Sequence, residues 1–426
     1  MRKRVVITGM GPATAVGIGK ETFFNSIIGM KTNLSEIPPC YEKNYRFKSR
    51  YFVPKPIFSL ADYGVHASLE NVMEDTAKLS VLCTKLALED AGFRVESKEK
   101  SFHTDIPENC SITIGIGMSS LQTALESYTA HTAPIDEEDT DKRAASPRYH
   151  RMVIPMLMPN AASAWVSILF GIQGFNYTIN ASCASGSFAI GEAYRNILGG
   201  RCDIAIAGGV EALTDKSGAI MRGFDMLTTL TKSPDGGPLP FSHKRSGFLF
   251  NEGAGCMLIL EELQSAKKRG ARIYAEIIGY ECSSDAYNIV QMDPSGENIL
   301  KLYNKISNGY KIDYINAHGT GTVLNDDIEA KIIQTIFGDK ESQPYINSTK
   351  GIIGHSIGAS GAIEAAVTAM SIKHSVIHGN LTEYPLDNLN LPLSSFNKDI
   401  NYALSASYGF GGHNALLLFK KVDEHE

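Results

Sequence analysis

The sequence predicts an α/β fold in which helices cover the sheets on both faces. Short β-branched runs that read as buried strands alternate along the chain with Ala-rich segments of helical spacing. The 39 glycines, many of them at strand ends, suit close packing of helix on strand. The strand runs fall at 5–8, 111–114, 204–207, 256–260 and 312–315. The clearest helix covers 77–91, with Gly92 placed to end it at the C′ position. Two segments break the alternation. Residues 36–60 carry Pro38, Pro39, Pro54 and Pro56, and residues 131–147 are acidic without an apolar period; both read as solvated surface loops.

A weak internal echo suggests duplication. Cys183-Ala-Ser-Gly-Ser in the first part and Gly358-Ala-Ser-Gly-Ala in the second are both small-residue entries to a helix. Two halves of similar βαβ content would meet near Arg269-Gly270, ahead of a strand that starts at Arg272, which divides the chain into 1–268 and 269–426.

Composition narrows the function classes. The 426 residues are 43% hydrophobic and 20% charged, as in a globular protein of two or three domain-sized units. Forty Lys+Arg against 46 Asp+Glu give a net charge of −6, which supplies no electrostatic footprint for nucleic acid or an anionic membrane. The cysteines, Cys40, Cys83, Cys110, Cys183, Cys202, Cys256 and Cys282, are scattered and form no C-x-x-C pair. That pattern argues against a structural zinc site or a disulfide framework and for a reducing cytoplasm. The N-terminal apolar run stops at Thr8-Gly9, too short for a secretory signal, and no segment reaches the roughly 18 apolar residues of a membrane span. A cytoplasmic enzyme is expected.

Five segments bear on chemistry. Val-Val-Ile-Thr-Gly9-Met-Gly11 opens like a dinucleotide-binding turn, but Thr14 stands at the third glycine position and no second strand follows to present an acid to a ribose. In Tyr177-Thr-Ile-Asn-Ala-Ser-Cys183-Ala-Ser-Gly186 a strand runs into a turn of small residues and then a helix, which puts Cys183 near a helix N-terminus. Free N–H groups there favour a thiolate and offer donors to an oxyanion beside the sulfur. From this segment alone, Cys183 reads equally as a nucleophile or as a buried small hydrophobe. Asn316-Ala-His318-Gly-Thr320-Gly-Thr322 exposes an imidazole in a turn after a strand. Lys350-Gly-Ile-Ile-Gly354-His355 sets a second histidine among glycines, with Glu364 further on. Two histidines in such turns, beside a cysteine in a third, favour function over structure, because strand-end turns are where α/β sheets bind ligands. Ser407-Tyr408-Gly409-Phe410-Gly411-Gly412-His413 lets backbone approach a ligand and can lend a second oxyanion N–H.

Together these segments resemble the β-ketoacyl synthases, the elongating condensing enzymes of fatty acid and polyketide synthesis within the thiolase superfamily. They look most like the synthase II type and the ketosynthase subunits of type II polyketide systems. The resemblance runs from Val5 to about Phe419 and keeps the family's Cys-His-His order. It implies a thiolase-like fold of two pseudo-duplicated halves in α-β-α-β-α layers, with Cys183 on 1–268 and both histidines on 269–426.

It also implies a decarboxylating Claisen condensation. Cys183 would accept the acyl group, and His318 and His355 would stabilise the enolate formed as malonyl loses CO2. Lys350, paired with Glu364, would order the site, and the N–H groups of Cys183 and Phe410 would form the oxyanion hole. Thr320 and Thr322 would bind the pantetheine arm, Phe410 would gate the acyl chain, and Met118 and Phe224 would wall its pocket, although both also read as core. No metal or redox cofactor is implied, since the phosphopantetheine arm arrives on an acyl carrier protein. The family's dimer would be a homodimer, or a heterodimer with a chain-length-factor-like subunit.

Three departures stand out. Glu70, Glu74 and Asp75, with only Lys78 nearby, occupy a stretch where relatives carry basic residues for the carrier; Thr228 replaces a frequent Arg; and Asn288 and His413 replace residues usual beside the acyl site. The competing readings are a non-catalytic chain-length subunit, which typically lacks the nucleophile, a degradative thiolase, which usually needs a second cysteine beyond Cys282, and a Cys-His hydrolase.

Overall fold

Strands form where apolar residues give two faces something to bury, and the principal ones come in two sets of five. The first set is β1 (Val5–Thr14), β2 (Ser111–Gly115), β3 (Asn176–Ile179), β4 (Ile204–Ala212) and β5 (Gly253–Glu262). The second is β6 (Ala275–Ser284), β7 (Tyr314–Asn316), β8 (Tyr345–Asn347), β9 (Tyr402–Gly409) and β10 (His413–Lys420). The computed structural model describes residues 3–118, 120–132 and 150–423, so the acidic stretch expected as a loop lies outside the described residues from 133 onward.

The sheet runs β8-β7-β9-β10-β6-β1-β5-β4-β2-β3, with the short strand Gly17–Ile18 paired to β1. Each set repeats one plan. In the first, β2 lies parallel to β3 and β4, while β4, β5 and β1 follow antiparallel. In the second, β7 lies parallel to β8 and β9, while β9, β10 and β6 follow antiparallel. Among the described residues, the two sets of strands pair only through Val5↔Ile277, Val6↔Glu276 and Ile7↔Ala275. The seam expected at Arg269-Gly270 falls in the connection between β5 and β6.

Among the helices are α1 (Asp75–Asp90), α2 (Leu121–Thr132), α3 (Ala161–Phe170), α4 (Ser185–Leu198), α5 (Ala219–Met226), α6 (Glu297–Ile306), α7 (Val323–Phe337) and α8 (Ser360–His374). Strand alternation sorts them into layers. Ala205 and Ala207 of β4, with Ala415, Leu417 and Phe419 of β10, face a middle layer of α4 and α8. Ile204 and Ile206 face the other way, onto α1 and α3, and Leu416 and Leu418 face α6 and α7. The result is the expected α-β-α-β-α thiolase-like arrangement. Alanines on the inner faces let the two central helices sit close to both half-sheets.

Local details follow the sequence, apart from 36–60. The helix expected at 77–91 is α1, closed by Gly92 at φ 82° with Phe93 N–H on Leu88 O at 3.0 Å. As the missing third glycine implied, there is no dinucleotide turn: β1 continues through Gly9 and Gly11, with a register shift between Ile7 and Gly9. A Cβ would lie 2.3 Å from Ala87 O at Gly9 and 2.0 Å from Cys83 O at Gly11, so these glycines admit α1 and make no phosphate turn. The exception is 36–60, which does more than solvate. Phe47 and Phe52 are buried in the cluster that holds Cys183, and Val53 pairs with Phe250 and Glu252.

The echo of the two helix entries is structural. Ser182–Ala184 and Ile357–Ala359 are both 3-10 turns that lead into α4 and α8, and Ser182 (φ 51°) and Ile357 (φ 45°) share a left-handed backbone. Such a conformation costs a non-glycine residue about 1–2 kcal/mol.

Candidate active site

Cys183 is presented by a turn whose backbone is tied down by side chains. Asn180 Oδ1 accepts from Ser182 N at 3.1 Å, and its Nδ2 donates to Gly117 O at 2.8 Å. Ser185 Oγ accepts from Ala181 N at 2.9 Å and lies 2.7 Å from Ser182 O. The thiolate expected from the helix N-terminus is not what the surroundings favour. Cys183 is only 4% exposed, and burial raises its thiol pKa against the opposing pull of Ser182, the Phe410 N–H and Lys350. Burial thus works against the thiolate that the turn's N–H groups would favour.

The histidines are also buried, where the sequence led us to expect exposure: His318 is 3% and His355 2% accessible. They face a cavity whose cover comes from distant segments, with Tyr408 against His318 and Phe248 against His355. Their tautomers follow from their neighbours. Lys350 Nζ donates to His318 O at 2.7 Å and lies 3.3 Å from Nδ1; an ammonium can only donate, so Nδ1 accepts and the proton sits on Nε2. Ile357 N–H donates to His355 Nδ1 at 3.2 Å, with Ser360 Oγ at 3.0 Å, and again Nε2 carries the proton. Both rings are neutral. Burial holds them well below the usual imidazole range, helped at His318 by Lys350 and then His355, and at His355 by Lys350.

The ring centroids lie 5.6 Å apart, nearly perpendicular. The site thus offers two neutral N–H donors side by side. The 15N signals of both imidazoles in labelled protein should keep the Nε2–H pattern from pH 8 to 5.5; an imidazolium pattern at pH 6.5 would overturn the assignment. In stability terms, the contribution of each depressed histidine is lost as pH falls from about 6.5 toward its folded value. Glu329 and Glu364, both raised to about 7 by burial, act in the opposite sense, their contributions being lost as pH rises through that value.

Two chambers meet at the cysteine. One, of about 200 Å³, is lined by Cys183, His318, His355, Thr320, Thr322 and Phe410 among others; Thr320 and Thr322 share a hydroxyl hydrogen bond of 2.9 Å. The other, of about 630 Å³, is apolar, with Met118, Leu121, Leu125, Ile220 and Phe224 in its wall. Cys183, Phe224 and Phe410 belong to both. Lys350 and Glu364 form a buried ion pair behind His318 and line neither chamber.

Of the departures, neither Asn288 nor His413 lines a chamber. Asn288 is exposed and caps the segment that brings Val290–Met292 to the smaller one, while His413 lies edge-on to Phe188. The acids at 70–75 are already engaged: Asp75 pairs with Lys55 and Lys78, Glu70 accepts from Leu60 N and Ser59 Oγ, and Glu74 accepts from Asp75 N.

Sequence reasoning missed the residues that hold the site. Glu329 of α7 accepts from His318 N at 2.9 Å and Gly319 N at 2.8 Å. Glu211 of β4 gathers three backbone N–H groups, whose pull favours the carboxylate against the burial that raises its carboxyl. The available signal, at Glu211, was an acid inside an otherwise apolar strand.

A duplicated five-layer fold with a cysteine and two neutral histidine donors on one chamber defines an acyltransferase of the thiolase-like class. The chain belongs to the β-ketoacyl synthase family: the model of the N-terminal domain matches residues 2–266 and that of the C-terminal domain residues 274–382. It is 34% identical over 439 aligned positions to the 3-oxoacyl-[acyl-carrier-protein] synthase 2 of Staphylococcus aureus (strain COL), with 99% of each chain covered. Among solved structures, the ishigamide ketosynthase/chain length factor matches with a TM-score of 0.85 at 25% identity, covering 99% of this chain and 100% of that one. A type II PKS acyl-carrier protein in complex with its ketosynthase bound to the hexaketide gives 0.81 at 25% identity, with the same coverage.

Proposed function

We propose that this chain condenses a Cys183-bound acyl group with malonyl carried on an acyl carrier protein, with loss of CO2, in fatty acid or polyketide elongation. One observation carries the reading: Cys183 and two Nε2–H imidazoles, fixed as donors by Lys350 and Ile357, line one chamber. The acyl carbon leaves the carrier's pantetheine sulfur for Cys183 Sγ, and the thiol proton goes to that departing sulfur. The acyl tail lies in the apolar chamber walled by Met118 and Phe224. Malonyl thioester then enters beside Thr320 and Thr322. Its C–CO2 bond breaks, and the electron pair moves onto the thioester oxygen held by His318 and His355. The enolate carbon attacks the acyl-Cys183 carbonyl, whose oxyanion the N–H groups of Cys183 and Phe410 receive; one such donor typically contributes on the order of 3 kcal/mol. Collapse expels the Cys183 sulfur, which takes up a proton, and the β-ketoacyl product stays on the carrier. Lys350 and Glu364 act by holding His318.

In this reading no metal or redox cofactor takes part. The seven free cysteines suit a reducing cytoplasm. β3 ends the sheet, with Ile168 and Phe175 exposed nearby, which suits pairing with a second subunit. That subunit is a second copy or a chain-length-factor-like partner, and light scattering of the chain alone and co-expressed distinguishes them. The chain-length role for this chain itself is disfavoured by its intact cysteine. After incubation with acyl carrier proteins, intact-protein mass spectrometry should show one acyl group on Cys183. An unmodified Cys183 with every acyl donor would defeat the proposal, and hydrolysis of acyl-Cys183 without CO2 release would point to a hydrolase.

A further inference from the structure

Glu211 lines neither chamber, yet its carboxylate ties the acyl wall to the turn behind His355. It is fully buried near the end of β4. Oε2 accepts from Gly117 N and Gly358 N, and Oε1 from Met118 N, each at 2.9 Å. Three converging N–H groups make an anion nest, here filled by a side chain of the protein. Gly358 is the counterpart of Cys183 in the duplicated turn, so the N–H that faces the reaction in one half is capped by a carboxylate in the other. The fit leaves no room for side chains: a Cβ would lie 2.5 Å from Glu211 Oε2 at Gly117 and 2.8 Å at Gly358.

The residue before Gly358 is Ile357, a β-branched residue held at φ 45°, and its N–H is the group that donates to His355 Nδ1. Ser360 Oγ, the other partner of Nδ1, can turn and accept, so it does not fix the tautomer. We propose that Glu211 is a positioning residue for His355: by anchoring Gly358 N–H it keeps Ile357 strained, its N–H on Nδ1, and the proton of His355 on Nε2 facing the chamber. Released, Ile357 relaxes toward negative φ, and His355 populates both tautomers.

The inference rests on the reading of His355 as an N–H donor to the malonyl thioester. The test uses Glu211→Ala with and without formate, Glu211→Gln, whose amide keeps one oxygen for Gly117 and Gly358 and sets its NH2 against Met118 N–H, and the shortened Glu211→Asp. In 15N spectra, His355 should show mixed tautomers in Glu211→Ala, and to a lesser extent in Glu211→Gln, while His318 keeps its Nε2–H pattern. Malonyl decarboxylation should fall about tenfold more than acyl loading of Cys183, the effect of losing one oriented hydrogen bond. Formate should restore both readouts in Glu211→Ala. An unchanged His355 pattern, or equal losses of loading and decarboxylation without formate rescue, would overturn the proposal. If Glu211→Gln and Glu211→Ala fail to fold, a wild-type His355 pattern and loading-to-decarboxylation ratio in Glu211→Asp, whose shorter reach cannot span all three donors, would overturn it too. The spectra need no turnover, so an inactive wild-type protein would count against the proposed reaction and leave the placement of Glu211 to be read directly.

Discussion

Replacing Cys183 with alanine should abolish condensation, by a factor on the order of 10⁴ or more, while decarboxylation of malonyl thioester continues. The two activities separate because the sulfur touches only the acyl half of the reaction. His318 keeps Lys350 on Nδ1 and His355 keeps Ile357, so both Nε2–H donors survive the substitution. The turn also tolerates alanine, since its backbone N–H groups at Ser182 and Ala181 are held by Asn180 and Ser185, and the sulfur adds only a 3.7 Å contact with Ser182 Oγ. Release of labelled CO2, followed beside product formation, checks both halves. Condensation that survives would mean that the nucleophile is misassigned.

Lys350→Met should be the most damaging change that leaves the reacting atoms in place. The side chain is 1% exposed, and its ammonium bonds the His318 carbonyl, His318 Nδ1 and Glu364. Methionine matches the length and removes every donor. Breaking a buried ion pair by removing one partner typically costs about 3–5 kcal/mol. Glu364 limits the damage by taking up a proton, since burial already raises its carboxyl to about 7 beside the lysine and would raise it further without one. The loss of thermal stability relative to the wild type should thus be larger at pH 9 than at pH 6. Decarboxylation should fall roughly 10²-fold, because His318 Nδ1 loses the donor that fixes its tautomer. Equal stability losses at the two pH values, or decarboxylation unchanged in the folded variant, would show that the pair does not order His318.

The cysteine and the two histidines that line one chamber were legible in the sequence because each lies in a short contiguous turn of small residues: Cys183 before Ala-Ser-Gly, His318 before Gly-Thr-Gly-Thr, His355 after Gly354. Helices on both sheet faces were legible from the alternation of strand and helix segments along the chain, and the five layers from the resemblance. What escaped was set by residues far apart in the chain. The imidazoles read as exposed because their turns are glycine-rich, but Phe248 and Tyr408 roof them from elsewhere. Glu211 and Glu329 act on backbone N–H groups, which have no sequence signature. Proline content made 36–60 look like a plain loop, although Phe47 and Phe52 fall at the cluster around Cys183.

The narrow join between the half-sheets has a bearing on how the protein is made. Of these ten strands β1 is made first, yet it pairs with none of the others until β5 and β6 follow: Val5 lies against Glu262 on one side and Ile277 on the other. β6 in turn meets β10, the last of the ten. The first half-sheet therefore closes only once β5 has been made, and the second only once β10 has. Contacts of such sequence separation are slow to form and leave apolar strands uncovered meanwhile. Yields of folded protein should accordingly depend on chaperone supply and growth temperature, and a chain cut at the seam should hold neither half-sheet's edge closed on its own.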